Sequence, residues 1–367
     1  MSLPVIVGHR GFKSKYVENT ITGFIKCYES GGTVIETDLW VSRDEYLVVS
    51  HDGNTNRIFV DENDQPTHYD ILTTDYVGCL EKLKTAGSGE PLMTFPQLLK
   101  WFVSYVEENP GPQFKIMLDL KPANPTKLLK YLVRDLLSIK NDIKWWYDHL
   151  QLGFWTLDFI KYMNQHEYFK TVMDGTPNDN GHTQFDIFHI SVSWKYSLVF
   201  TNYNFYLDHL NKDDVKFKTT GVSLLYLSTW SQDFVTKFIP ILKMQNLKLY
   251  SWTVNFKNQY DYLVQIGKLA NISEYGIITD CPDYMNKLRE NEPDTIKPVS
   301  HNQNGDLSIS LTWYQQLYNF VFSRFFVPPA KFPLDFESIV DENKPLVFKP
   351  NRLIVWVFHN LQALGIF

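Results

Sequence analysis

Short apolar runs alternate with longer stretches of helical period along most of this chain. Val5-Ile6-Val7 and Leu47-Val48-Val49 are too short and too β-branched to be helices, so each reads as a buried strand. The same reasoning predicts eight strands, at Pro4–Gly8, Val34–Leu39, Phe114–Leu120, Gln151–Thr156, Phe185–Ser193, Thr219–Tyr226, Leu247–Asn255 and Gly276–Asp280. An extra hairpin-like strand is predicted over Tyr46–Ser50. The periodic set Ile21, Phe24, Ile25 and Tyr28 predicts a helix over Asn19–Ser30, with Asn or Thr capping its start and Gly31-Gly32 stopping it. A second helix over Phe95–Glu107 stops at Asn109-Pro110-Gly111. Strands alternating with helices are the pattern of parallel βαβ units. An α/β barrel of about 250 residues fits the 367 available. The expected fold is therefore α/β, a (β/α)8 TIM barrel over residues 1–292.

Two stretches break the alternation. Residues 53–91 are polar, turn-rich and without a strong period, either a surface loop or a functional lid, and Tyr168–Thr183 is irregular. After Glu292 the composition changes, with a polar linker expected over 293–308 and an aromatic, apolar tail over 309–367. Within that tail Ile309–Phe326 carries a wide apolar face, and Leu353–Phe367 is apolar except for His359, Asn360 and Gln362. Leu353–Phe367 as a helix extends about 22 Å, short of the roughly 20 residues that span a bilayer. It is expected to lie in or on a membrane surface, the alternative being that both segments pack back onto the barrel's outer helices.

Composition narrows the function classes. Acidic and basic residues are mixed along a chain of net charge −6, leaving no electrostatic footprint for nucleic acid. Cys27, Cys79 and Cys281 are odd in number, far apart and without CxxC spacing, which argues against a disulfide framework and against a zinc site. Met1-Ser2-Leu3-Pro4 enters a strand at once, so no cleaved secretion signal is expected. The expected location is intracellular, at a membrane facing the cytosol such as the endoplasmic reticulum, a lipid droplet or the mitochondrial surface.

Polar chemistry gathers where the strands stop. His9 and His51 each follow a buried strand and suggest an acid–base pair. Glu36 and Asp38 are two apart on one strand, so both carboxylates point to the same face, half of an oxygen-ligand metal site. Each signal alone has a plainer reading: a strand-end His is usually a surface hydrogen-bonding group, and Glu-x-Asp is more often a solvated edge.

Taken together and in order, the segments GHRGF (Gly8–Phe12), ENTITGF (Glu18–Phe24), IETDLW (Ile35–Trp40) and VVSHD (Val48–Asp52) resemble the signature of the glycerophosphodiester phosphodiesterase family. The resemblance covers about residues 4–292 and looks closest to the fungal phosphatidylglycerol-specific phospholipase C proteins, which also carry a hydrophobic C-terminal tail. Val17 stands where proline is usual and Asp44-Glu45 replaces the usual Asp-Gly turn. Trp252-Thr253-Val254-Asn255 and Ile278-Thr279-Asp280-Cys281-Pro282 match the family again at its seventh and eighth strands.

The resemblance implies a third metal ligand at Asp119 beside Glu36 and Asp38, a phosphate contact from Lys121, and an insertion over the barrel mouth at residues 53–91. His9, Arg10, Glu36, Asp38, His51 and Asp119 should then converge at one end of the barrel. Oxygen-only ligands favour Mg²⁺ or Ca²⁺ over zinc. Arg10 and Lys121 would bind the substrate phosphate, and His9 and His51 would exchange roles as base and acid, with Asp52 orienting one imidazole. Trp252 reads equally as a wall of the site or as barrel packing, and Gly11 as a tight-turn residue. The expected activity is metal-dependent cleavage of phosphatidylglycerol to diacylglycerol and glycerol phosphate, with the membrane surface met through the tail. The alternatives are hydrolysis of soluble deacylated glycerophosphodiesters and, since no signature residue is lost, less readily a non-catalytic lipid-binding scaffold.

Overall fold

A computed structural model describes residues 3–210, 214–290 and 299–323. Eight parallel strands form its centre: β1 (Val5–Gly8), β2 (Val34–Val41), β3 (Lys115–Leu120), β4 (Leu150–Phe154), β5 (Asp186–Ser191), β6 (Gly221–Leu225), β7 (Lys248–Trp252) and β8 (Tyr275–Thr279). They pair in chain order, and β1 pairs with both β2 and β8, which closes the sheet into a (β/α)8 barrel. These bounds lie within a few residues of the predicted ones, because short β-branched runs between helical stretches leave little choice of register.

Burial follows from closure. All eight residues of β2 are buried, since one face meets the barrel interior and the other the helical layer. Val7, Val34, Met117, Phe188, Tyr250 and Ile278 pack together as the interior plug. Helices Ile21–Glu29 and Phe95–Glu108 turn their apolar stripes, Phe24 and Cys27, and Leu98, Leu99 and Phe102, onto the outside of the sheet. Thr20, not Asn19, is the cap of the first helix, its side chain accepting from the Gly23 amide at 3.1 Å.

One antiparallel strand is added to the barrel. Leu47–Val49 pairs antiparallel with the end of β2, Val41 opposite Leu47 and Leu39 opposite Val49, and the Ser50 amide donates to Asp38 O, so the chain carries His51 back from the end of β2 to the level of Asp38. Residues 53–91 are not a bare loop: they hold a small antiparallel strand pair, Phe59–Val60 against Lys84–Thr85, and two 3₁₀ turns around a satellite core of Trp40, Val48, Phe59, Ile71, Leu80 and Leu83.

The segment expected as a linker is structured where it is described. Val299–His301 and Leu307–Ile309 form a hairpin, with Val299 buried and its amide donating to Gln265 Oε1 at 3.0 Å. The hairpin forms because the turn Asn302–Gly305, with Gly305 at φ 82°, folds two short alternating runs back on each other. Helix Trp313–Val321 follows, capped by Thr312 and Gln315; it buries Gln315 and is followed by buried Phe322, while Trp313, Leu317, Tyr318 and Phe320 remain exposed. The Leu353–Phe367 run lies outside the described residues. Among those described, no helix is long and apolar enough to cross a membrane.

Candidate active site

Parallel register brings the carboxylates together. Asp38 on β2 is the direct partner of Asp119 on β3, so both side chains stand at one height at the C-terminal end of the barrel. Glu36 sits one pleat below Asp38 on the same face, and all three are buried. One ligand oxygen from each of the three lies within 4.8 Å of the others, a spacing that lets a single ion touch all of them. Lys121 answers part of the charge, donating to Asp38 Oδ1 at 2.7 Å and Asp119 Oδ2 at 2.6 Å. Trp155, the residue after β4, donates its indole N–H to Asp119 Oδ1 at 2.7 Å.

These contacts do not neutralise the group. Burial, with Asp38 and Asp119 as like charges, pushes the Glu36 carboxyl well above its usual range. Burial also raises Asp119, whereas for Asp38 the same penalty is overcome by Lys121, His51 and Arg10, which hold it low. Three buried, oxygen-only ligands with a surplus of negative charge fit a hard dication. The Glu/Asp/Asp group is the set of residues that would hold such an ion.

Arg10 lies in the tight turn after β1 with φ 52°, and Gly11 follows at φ 87°. The Arg10 amide donates to Glu36 Oε2 at 2.9 Å, fixing that ligand. Its guanidinium is only 4% exposed and shares Nη1 with the Glu18 carboxylate at 3.2 Å, with Nε 3.9 Å from Asp38. Only Nη1 is paired in this way, and Nε has no hydrogen-bond partner among the described residues, while the Arg10 backbone orients Glu36. Asn19, one of the two cap candidates in the sequence beside Thr20, instead donates to Asp38 Oδ2 at 3.4 Å and accepts from Thr37 Oγ1 at 2.8 Å. Its φ of 58° turns the side chain inward, away from the helix start.

Each histidine has a carboxylate partner. His9 Nδ1 lies 2.7 Å from Asp280 Oδ1, and His51 Nδ1 lies 2.8 Å from Asp52 Oδ1. A carboxylate on Nδ1 selects the Nδ1–H tautomer and leaves Nε2 as the proton-transfer atom on both rings. Burial and then Arg10 lower the His9 pKa to about 4 against the opposing pull of Asp280; burial also lowers His51. Asp280 is held by the Asn255 amide at 3.0 Å. Asp52 is held by Arg57 Nε at 2.7 Å, and Arg57 Nη1 reaches Glu18 at 2.9 Å. The insertion therefore contributes Arg57 to the site as the tie between His51's partner and Arg10's partner.

The sequence-predicted residues His9, Arg10, Glu36, Asp38, His51, Asp119 and Lys121 all come together at this end. Trp252 stands across the mouth, its ring edge-to-face with Trp155 at 5.9 Å and its N–H donating to Ser223 O at 3.1 Å. Sequence reasoning placed Glu18 and Asp280 in matching motif segments but gave them no role, and it missed Trp155 and Arg57. Asp280 and Trp155 had a usable signal, since each follows a barrel strand at its C-terminal end; Arg57 had none.

Known proteins share this arrangement of fold. A glycerophosphodiester phosphodiesterase of Bacillus altitudinis is 24% identical over 291 residues, covering 78% of this chain and 98% of that one. The crystal structure of a glycerophosphodiester phosphodiesterase from Parabacteroides distasonis superposes with a TM-score of 0.54 at 16% identity, over 78% of this chain and 97% of that one. A phosphodiesterase of Oleispira antarctica, solved in complex with the product sn-glycerol-3-phosphate, gives a TM-score of 0.51 at 16% identity over 78% and 97%. The profile of the glycerophosphoryl diester phosphodiesterase family matches residues 9–284, which runs from the residue after β1 into the helix Pro282–Glu290 after β8 and includes every residue of the site, so the chain belongs to that family of phosphodiester hydrolases.

Proposed function

We propose that this chain is a divalent-cation-dependent glycerophosphodiester phosphodiesterase, releasing glycerol phosphate and an alcohol from its diester. The observation that carries the reading is the convergence of two His–carboxylate pairs on one three-carboxylate group. The activity named for the Bacillus relative and the product bound to the Oleispira protein support a glycerol phosphate diester over other phosphodiesters.

Glu36, Asp38 and Asp119 would hold the cation. When bound, it would draw negative charge from a non-bridging phosphate oxygen. Lys121, shared between two of these carboxylates, and Arg10, whose Nε is unpaired among the described residues, supply the positive charge that would face the phosphate. His9, neutral near pH 7, takes the proton of the glycerol hydroxyl beside the phosphate. That oxygen bonds to phosphorus as the P–O bond to the leaving alcohol breaks, and His51 supplies the alcohol's proton. Water then opens the cyclic phosphate with the two roles reversed. The intramolecular hydroxyl is favoured over water by proximity.

Purified protein should release glycerol phosphate from glycerophosphoglycerol, and His9→Ala and His51→Ala should each lower kcat about a hundredfold or more. A variant of either histidine with near-normal turnover would overturn its role.

A second reading, phospholipase C action on phosphatidylglycerol at a cytosol-facing membrane, is favoured by one observation. Trp313 and Leu317 are 76% and 52% exposed on a helix beside the barrel mouth, more aromatic and aliphatic surface than a soluble rim needs. Diacylglycerol release from phosphatidylglycerol vesicles, lost in the Trp313→Ser/Leu317→Ser double variant while glycerophosphoglycerol turnover persists, would support it. Vesicles left uncleaved by the unaltered chain would leave the first reading alone.

A further inference from the structure

At the same barrel end, on the side opposite β1 and β2, a cavity of about 530 Å³ opens between the loop after β5, the turn after β6 and the C-terminal hairpin and helix. Its volume falls within the roughly 300–1,000 Å³ of small-molecule sites. Nearly half of its wall comes from residues 309–323, beyond the family-matched region, so this chain builds it in part with its own extension.

The wall is amphipathic. Trp194, Trp230, Leu311 and Phe320 supply broad apolar surface. Two further features belong to its inner side: Ser228 Oγ and Trp230 Nε1 are buried polar atoms without a hydrogen-bond partner among the described residues. Buried polar groups are rarely left this way, and an indole N–H can be satisfied only by an acceptor. An aliphatic chain carrying an ester or ether oxygen answers both features; a wholly polar head group answers only the second.

The cavity also connects to the chemistry. Trp155 is hydrogen-bonded to Asp119, its ring meets Trp252, and Trp252 is hydrogen-bonded to Ser223 of β6, whose end opens on the cavity. Two edge-to-face tryptophans thus extend from the carboxylate group to β6, the strand whose following turn, from Ser228 on, lines the cavity. We propose that this cavity is a binding site for the aliphatic end of the substrate, the acyl or alkyl chain of a glycerol carried as the diester's alcohol. The proposal rests on the phosphodiesterase reading of the mouth and adds where the alcohol goes.

The test uses the full chain, glycerophosphoglycerol as substrate and 1-O-alkylglycerols as product-like probes. Butyl-, hexyl- and octylglycerol, each below its aggregation threshold, should inhibit with affinity rising about fourfold per added methylene, the fold-change for burying a CH₂ group. Asn319→Trp and Lys195→Trp fill the cavity from opposite walls. Either should weaken octylglycerol inhibition at least tenfold and leave glycerophosphoglycerol turnover within about twofold, because neither residue touches the carboxylate or histidine groups. Inhibition that is absent, independent of chain length, or unchanged in both variants overturns the proposal. If one variant fails to fold, the other wall's variant and the chain-length series decide. If glycerophosphoglycerol is not hydrolysed at all, the phosphodiesterase reading fails on its own, and calorimetric binding of octylglycerol to the unaltered chain and the two variants still decides the cavity.

Discussion

Replacing Asp280 by Asn tests whether the His9–Asp280 contact fixes a tautomer or merely fills space. Asn255 makes the outcome calculable. Its Oδ1 accepts from the Asp280 amide at 2.9 Å and from Thr279 Oγ1 at 3.0 Å, which leaves its Nδ2 to donate to Asp280 Oδ2 at 3.0 Å. In Asp280→Asn the new amide oxygen must take the position that accepts from Asn255, so its NH₂ faces His9 Nδ1. The proton on His9 then moves to Nε2, the atom that has to accept one. Flipping the new amide restores the tautomer but sets two NH₂ groups against each other in a buried site, costing about 1–3 kcal/mol. That alone disfavours the competent arrangement roughly 5- to 150-fold.

Losing the carboxylate also removes the charge that stabilises a protonated His9, so kcat for glycerophosphoglycerol should fall about 10²-fold or more, with KM little changed. Adding Asn255→Asp should reverse much of the loss. Its carboxylate still accepts from Thr279 and from the backbone amide of the substituted position, now also accepts the new NH₂, and so turns the new amide oxygen toward His9. Steady-state kinetics of the four proteins, with ¹⁵N shifts of the His9 ring as a direct reading of the tautomer, complete the cycle. A single variant with wild-type kcat, or a folded double variant no better than the single, would refute the argument.

Three further outcomes follow from the same geometry. Mg²⁺ or Ca²⁺ should raise Tm, by an amount equivalent to about 2.7 kcal/mol at a hundred times Kd; the shift should vanish in Asp119→Asn, and a chelator should abolish turnover, an unshifted Tm counting against the three-carboxylate site. Burial alone would raise Glu18, but the hydrogen bond from Arg57 and the charges of Arg10 and Arg57 bring it to about 2. Its contribution to stability is therefore complete above its unfolded value near 4.5 and is lost as pH falls toward 2. Glu18→Gln should cost about 3–5 kcal/mol at pH 7 by removing the buried carboxylate that Arg10 and Arg57 share, and denaturant titrations should show the gap to wild type closing below pH 4.5; a gap that stays constant would refute the linkage. Gly8→Ala should lower stability by about 1–3 kcal/mol or more, since its Cβ would run into Gly11 O and Cys27 Sγ, whereas Gly89→Ala meets no atom within 4 Å and should show only the strain of its φ of 73°, about 1–2 kcal/mol, in the same titration.

The barrel was legible because its strands are short, β-branched and bounded by strong stops, so one pattern recurs eight times. The carboxylate group was legible for a narrower reason: Glu36 and Asp38 share a face by strand period, a property of local sequence. Asp119 came only through family resemblance, because its pairing with Asp38 depends on which strand lies next to β2, and no local pattern states that. The linker reading of 293–308 missed the hairpin for a related reason. Val299 and Ile309 alternate over too few residues to register as strands, and what holds them is the surface of the barrel, through Gln265 and Gln232.

Arg57 shows where reading one dimension runs out. It stands in a polar stretch without period, and nothing near it distinguishes it from Lys82 or Lys84. Its partners are Asp52, five residues back, and Glu18, thirty-nine residues back at the other side of β2. The contact with Asp52, taken singly, is a partly exposed ion pair of modest energetic consequence, whereas the contact with Glu18 reaches a buried carboxylate. Joined, they make a continuous line from His51 through Asp52, Arg57 and Glu18 to Arg10, whose backbone holds Glu36. The acid–base pair and the carboxylate group are thus not independent furnishings of the mouth. A shift at Arg57 displaces the partner of one histidine and the partner of the arginine that orients a ligand, so a residue with no sequence signal couples the two halves of the site.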